Sequence, residues 1–147
     1  MSDLAAAKKA LVEDDVTSPK VEALIEAMFL AANADGNVSE DEVAHFSATV
    51  EALTEKRFSA SAVRGRVETL KGKLKTEGRA ARLSSLAARL GAGKPRETAL
   101  ILAASITASD GNIAHSENDL LADLAEALEI PQATAVDLVG RIHGVRA

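Results

Sequence analysis

The chain has 147 residues, 47% of them hydrophobic and 27% charged, with a formal net charge of -5. That length suits one ordinary globular domain, residues 1–147, able to bury about two-thirds of its unfolded surface. Cysteine is absent, which excludes disulfides, thiolate metal sites and cysteine nucleophiles. Aromatic residues make up 2%, with three Phe and neither Trp nor Tyr, so stacking platforms for single-stranded nucleic acid are missing and no nucleic-acid partner is expected. Alanine and leucine dominate instead, a composition that favours closely approaching helices over a β-sandwich or barrel.

In chain order, apolar residues recur at helical spacing and few segments alternate with period two. A first helix is expected from about Asp3 to Asp14. Ser18-Pro19 reads as an N-cap followed by Pro at the first helical position, opening a helix that reaches Ala34. Its stretch from Val21 to Leu30 is apolar over most of the circumference and should be central and buried. A third helix is expected from Glu40 to about Leu53, with Val43, Phe46, Val50 and Leu53 facing inward. A fourth carries Val63, Val67, Leu70 and Leu74. A fifth carries Leu83, Leu86, Ala87 and Leu90, and Gly91-Ala92-Gly93 stops it because glycine tolerates the left-handed C-terminal turn. The sixth starts near Pro95, and its run from Ala99 to Ile106 again reads as buried. The seventh spans about Ser116 to Glu129 with Leu120, Leu121, Leu124 and Leu128 inward. Pro131 opens the eighth. The expectation is an all-α, compact bundle of seven to eight helices.

Charge is unevenly spread along this order. From Lys56 to Arg96 lie twelve of the seventeen basic residues and only two acids, Glu68 and Glu77, leaving +10 there against −15 elsewhere. Such a segment suits an acidic partner, a phosphate or a membrane surface. Its cations fall at solvent-face spacing, so the two parts are expected mainly to offset each other on the folded surface. The longest apolar runs, Ala27 to Ala32 and Ala99 to Ala104, are far short of the roughly 20 residues of a membrane span. The start, Met1-Ser2-Asp3-Leu4, lacks a secretory pattern, and a cytoplasmic location is expected.

An internal repeat is the clearest signal. Asp35-Gly36-Asn37-Val38 recurs as Asp110-Gly111-Asn112-Ile113 at an offset of 75. Without a gap, the offset relates 22–67 to 97–142 with eleven identities, against about four expected by chance. The halves, about 20–70 and 95–145, are expected to pack with approximate two-fold symmetry. Each unit reads as a buried helix, an acid–glycine turn, and a new helix with Glu seven residues after the Asp. Gly36 and Gly111 permit a sharp turn, and Glu42 and Glu117 fall where a helix dipole favours a carboxylate. Asp35, Asn37, Glu42, Asp110, Asn112 and Glu117 are the candidate metal ligands. Oxygen donors without sulfur favour Ca²⁺, Mg²⁺ or Mn²⁺.

The spacing matches the second half of a calcium-binding EF-hand loop, and a divalent-metal sensor is the alternative reading. The first half departs: Ala31 and Asn33, and Ile106 and Ala108, stand where ligands would be needed. Turn chemistry alone also accounts for these residues, since Ser39 and Glu42 form a capping box and Asp and Asn are ordinary turn formers. Glu42-Val43-Ala44-His45 has the E-x-x-H spacing of helical di-iron sites, but the repeat puts Leu120 opposite His45 and the required pair is missing. His115 reads as a loop residue and His143 as a surface residue. Gly91-Ala92-Gly93-Lys94-Pro95 lacks the Ser or Thr of a phosphate-cradling loop. No nucleophile–base constellation is readable, and no enzyme activity is expected.

Ala34-Asp35-Gly36 followed by Ser39-x-x-Glu42, repeated as Ser109-Asp110-Gly111 and Glu117, together with Leu124-Ala125-Glu126-Ala127-Leu128, resembles the tellurite-resistance TerB-like family. The resemblance covers roughly Val21 to Val145. It implies an all-helical domain of about seven helices with internal pseudo-symmetry, and acidic residues proposed as a metal site, here Asp35, Glu42, Asp110 and Glu117. It also implies association with bacterial stress responses, including tellurite resistance, and use as a module beside other domains, and the expected role is a non-enzymatic one through protein contacts. Ala114 for the second-turn serine and Ser109 for the common alanine are departures, and neither removes a carboxylate.

Overall fold

A computed structural model describes residue 9 and residues 19–32, 40–53, 59–91, 93–109 and 115–144. Among them run seven helices: α1 (Pro19–Ala32), α2 (Glu40–Leu53), α3 (Ala60–Glu77), α4 (Arg79–Leu90), α5 (Lys94–Ser109), α6 (His115–Ala127) and α7 (Gln132–Gly144). The described residues contain no strand, so the all-α architecture follows. The helix expected from Asp3 to Asp14 and the acid–glycine turns lie outside the described residues, Lys9 excepted.

The core is organised around α1 and α5, which form the most extensive helix pair. From Val21 to Ala31 only Glu22 is not fully buried. Ala23, Ala27 and Ala31 recur every fourth residue, and Ala99 and Ala103 do the same on α5. Small side chains in such rows let one helix seat closely against another. Larger groups fill the flanks: Leu24, Met28 and Phe29 on α1, Leu100 and Leu102 on α5, and Leu120, Leu124 and Leu128 after them. Phe29 meets Phe46 of α2 edge to face, with ring centres 6.4 Å apart. Each such side chain contributes about 1.5–3 kcal/mol by leaving water.

The inward stripes largely match the helical spacing. Phe46 and Val50, Val63 and Val67, and Leu83, Leu86, Ala87 and Leu90 are buried, while Val43, Leu70 and Leu74 are half-buried. Helix ends have local causes. Ser59 caps α3 by accepting from the Ala62 N–H at 3.1 Å. Gly78 alone joins α3 to α4, at φ 90° and ψ 160°, a backbone region that is essentially glycine's. Gly91 and Gly93 have positive φ, 74° and 93°, and Gly91 stops the helix after Leu90 as expected, but at ψ −177° it does so in a glycine-type extended conformation rather than the left-handed turn. Arg96 then ties the next helix down: its Nε donates to the Gly91 carbonyl at 2.7 Å and its Nη1 to the Leu128 carbonyl at 3.0 Å, across the ends of α4 and α6. His115 opens α6 rather than sitting in a loop.

At the offset of 75, the starts of α1 and α2 fall on the starts of α5 and α6, whereas α7 begins three residues ahead of α3's counterpart. The third helices also rest on different partners. Helix α3 packs mainly on α2, and α7 packs mainly on α5. The contacts are therefore not those of two identically packed halves.

Candidate functional site

Of the six candidate ligands, Asp35, Asn37, Asp110 and Asn112 lie outside the described residues, and Glu42 and Glu117 are placed by backbone alone. Glu42 is the third residue of α2 and Glu117 the third of α6. Both carboxylates thus belong to a first helical turn, where unpaired backbone N–H groups and the helix dipole favour a negative charge. Among the described residues no three His, Asp or Glu side chains gather as a metal-ligand group.

A second constellation is fully described, and it is built on charge. Helix α1 carries Glu22 and Glu26 one turn apart. Helix α4 carries Arg82 and Arg89 two turns apart, and α3 carries Arg66, so all five face one junction. Glu26 is 1% exposed, the deepest charge described. Its carboxylate accepts from Arg82 Nε at 2.7 Å and Nη2 at 2.8 Å, a two-point fork, and from Arg89 Nη2. Arg82, itself buried, sends Nη1 to Glu77 at 3.2 Å. Arg66 pairs with Glu22, and Arg79 pairs with Asp123 of α6. The fork geometry of guanidinium and carboxylate is what makes such burial tolerable, because both carboxylate oxygens turned from water accept from an N–H. The bond to Glu26, and next its charge, hold Arg82's pKa above its already high ordinary value, although burial acts the other way.

These pairs correct the expectation that the basic segment lies on a solvent face. Arg82 is interior, and Arg66, Arg79, Arg89 and Arg96 are only partly exposed. Exposed cations remain on α3 at Arg64, Lys73 and Lys75. Sequence reasoning missed Glu26 as a site residue. The available signal was a lone acid in the middle of a helix otherwise read as buried all round, which demands a buried cation from elsewhere in the chain.

Two clefts flank this framework. One, of about 420 Å³, opens between α1, α3 and α4, with Arg66, Lys73, Arg82 and Arg89 beside Glu22 and the open backbone of Gly65. The other, of about 570 Å³, runs between α6 and α7 and is mostly apolar, lined by Leu121, Ala125, Ile130, Ala135 and Val136. Val136 is 65% exposed. No described helix is long and apolar enough to cross a membrane.

An all-α bundle whose central helix is pinned by buried arginine–carboxylate pairs is therefore the class of domain that fold and site define. Residues 21–138 match the family described as tellurite resistance protein TerB, and the chain belongs to that family. The match spans α1 to the middle of α7 and so takes in both the charged junction and the two acid–glycine sequences. Comparison with curated proteins found no match, and neither did comparison with solved structures.

Proposed function

We propose that this chain is a cytoplasmic, non-enzymatic module of tellurite-resistance type that serves a stress response by contacting an acidic protein partner, and that its paired acidic turns hold a divalent cation. The observation that carries the reading is the matched placement of Glu42 and Glu117, each third in a helix that follows one of the two central helices. With Asp35, Asn37, Asp110 and Asn112 beside them in sequence, each turn offers oxygen donors of the kind Ca²⁺, Mg²⁺ or Mn²⁺ takes. The exposed cations Arg64 and Lys75 of α3 support the acidic-partner half of the proposal. Family membership supports the link to tellurite resistance.

Amide NMR titration with Ca²⁺, Mg²⁺ and Mn²⁺ tests the metal. Saturable changes at Gly36 and Gly111, lost in the Asp35→Asn/Asp110→Asn variant, are expected. Unchanged spectra at millimolar concentrations of all three would overturn it. The partner half predicts capture that weakens with salt and with Arg64→Ala/Lys75→Ala. Capture indifferent to both would count against it.

A further inference from the structure

We propose that the cleft between α1, α3 and α4 binds a phosphate group, either as inorganic phosphate or as a small phosphomonoester, through Arg89 and Lys73. This goes beyond the reading above and shares no residue with the acid–glycine turns. Four cations line the cleft, Arg66, Lys73, Arg82 and Arg89. Counting Glu22, Glu26 and the Glu77 that pairs with Arg82, the junction still carries an excess of positive charge.

The donors divide into two layers. Below, Glu26 occupies Arg82 through Nε and Nη2, and Glu77 occupies Nη1, so Arg82 is committed and supplies only field. Above, Arg89 uses Nη2 on Glu26 and Nε on the Ser85 carbonyl at 3.4 Å, while Nη1 has no acceptor among the described residues. Its side chain is 26% exposed, so that edge is reachable. Lys73 is exposed, lines the cleft, and pairs with no described carboxylate. Glu26 therefore fixes the orientation of Arg89 before any ligand arrives, and a fixed guanidinium edge with an exposed ammonium on the wall of the same cleft is a donor set that suits a phosphate dianion. Fixing donors in advance reduces the ordering cost of binding.

Gly65 adds an independent argument. It sits inside α3, where glycine costs about 1 kcal/mol relative to alanine. No close packing demands it, since a Cβ there would meet nothing within 4 Å. What the missing side chain does provide is room, because Gly65 forms part of the cleft wall. Ala62 and Leu70 on the same wall offer apolar surface to a small organic substituent, and about 420 Å³ is space for one.

The test is NMR titration of the whole chain with inorganic phosphate and, separately, with glycerol 3-phosphate, at ionic strength held constant with NaCl. Saturable shifts at the Gly65 amide and the Arg89 Nε–H are expected in the low-millimolar range for at least one of them. Tighter binding of glycerol 3-phosphate assigns the ester, and equal binding assigns the free anion. Lys73→Ala should weaken binding about fivefold, the effect of one exposed charge. Lys75→Ala, on the same helix but outside the cleft, should leave it unchanged. Gly65→Leu should abolish it with the far-UV circular dichroism spectrum intact. Shifts that stay linear with both probes overturn the proposal. So does equal weakening by Lys73→Ala and Lys75→Ala, which is diffuse attraction, or full binding by a folded Gly65→Leu variant.

Discussion

Replacing Glu26 by leucine tests whether the buried charges hold the fold. The substitution removes the acceptor of two Arg82 bonds and one Arg89 bond. The two arginines should respond differently. The Arg89 side chain is 26% exposed and can turn toward water, whereas that of Arg82 is 6% exposed and cannot. Breaking a buried pair by removing one partner costs about 3–5 kcal/mol, because the other charge stays uncompensated. Glu77 still faces Arg82 at 3.2 Å, but its half-exposed carboxylate returns no more than about 1 kcal/mol. A net loss of about 3 kcal/mol is expected, close to a third of an ordinary domain's stability. Adding Arg82→Met should restore most of it, since replacing both charges with apolar groups is often neutral. Urea unfolding followed by circular dichroism at the helix band is the appropriate assay, as the chain has no Trp or Tyr to report by fluorescence. With a slope near 2 kcal/mol/M, the single variant should lower the midpoint by about 1.5 M. A Glu26→Leu cost below about 1 kcal/mol, or strictly additive effects in the double variant, would refute the reasoning. The pH dependence has a definite sign. Arg82's pKa is raised by folding, so its contribution is fully present below the ordinary arginine range and is lost only as pH rises through the raised value. The Arg82→Met penalty should therefore be equal at neutral and mildly alkaline pH.

Four further outcomes follow from local geometry. Gly78→Ala should destabilise by about 1–3 kcal/mol from backbone strain alone, because a Cβ there meets no atom. The same change at Gly65 should stabilise by about 0.5–1 kcal/mol, and equal signs at the two glycines in thermal unfolding would contradict the argument. Glu129 adopts φ 58° where the Ile130 N–H closes on the Ala125 carbonyl at 3.0 Å, a Schellman turn. Glu129→Gly should raise stability by about 0.5–1 kcal/mol, since the exposed contact with Arg96 at 3.8 Å contributes little. Ser47 is wholly buried and its Oγ has no hydrogen-bond partner among the described residues, so Ser47→Ala should gain about 1 kcal/mol in urea unfolding.

The helices were legible because burial and periodicity coincide. Leu83, Leu86, Ala87 and Leu90 mark one stripe, and Gly91 ends it with the positive φ its missing Cβ allows. Asp35-Gly36 and Asp110-Gly111 stand out as local sequence patterns, and they lie outside the described residues. Glu26 was not legible as a site. Its partners lie 56 and 63 residues along the chain, and spacing along one helix does not say which distant arginine will cover a buried acid. The same limit explains why solvent-face spacing misplaced Arg82. On α4 it neighbours the buried Leu83 and Leu86, on a face whose polarity is set by what α1 presents to it.

That choice also bears on the repeat. At the offset of 75, Glu26 falls opposite Ile101, and both are buried on the central helices. One position holds a charge and the other a branched aliphatic because different surfaces cover them. Helix α4 lies in the stretch between the two repeated segments and packs chiefly on α1, touching α5 only slightly. Its arginines therefore reach one central helix and not the other. An acid at position 101 would have no arginine of α4 above it, and an isoleucine at position 26 would leave Arg82 buried with only Glu77. The intervening helix, rather than either repeated segment, thus makes the surroundings of the two central helices chemically different and places the cationic cleft beside α1.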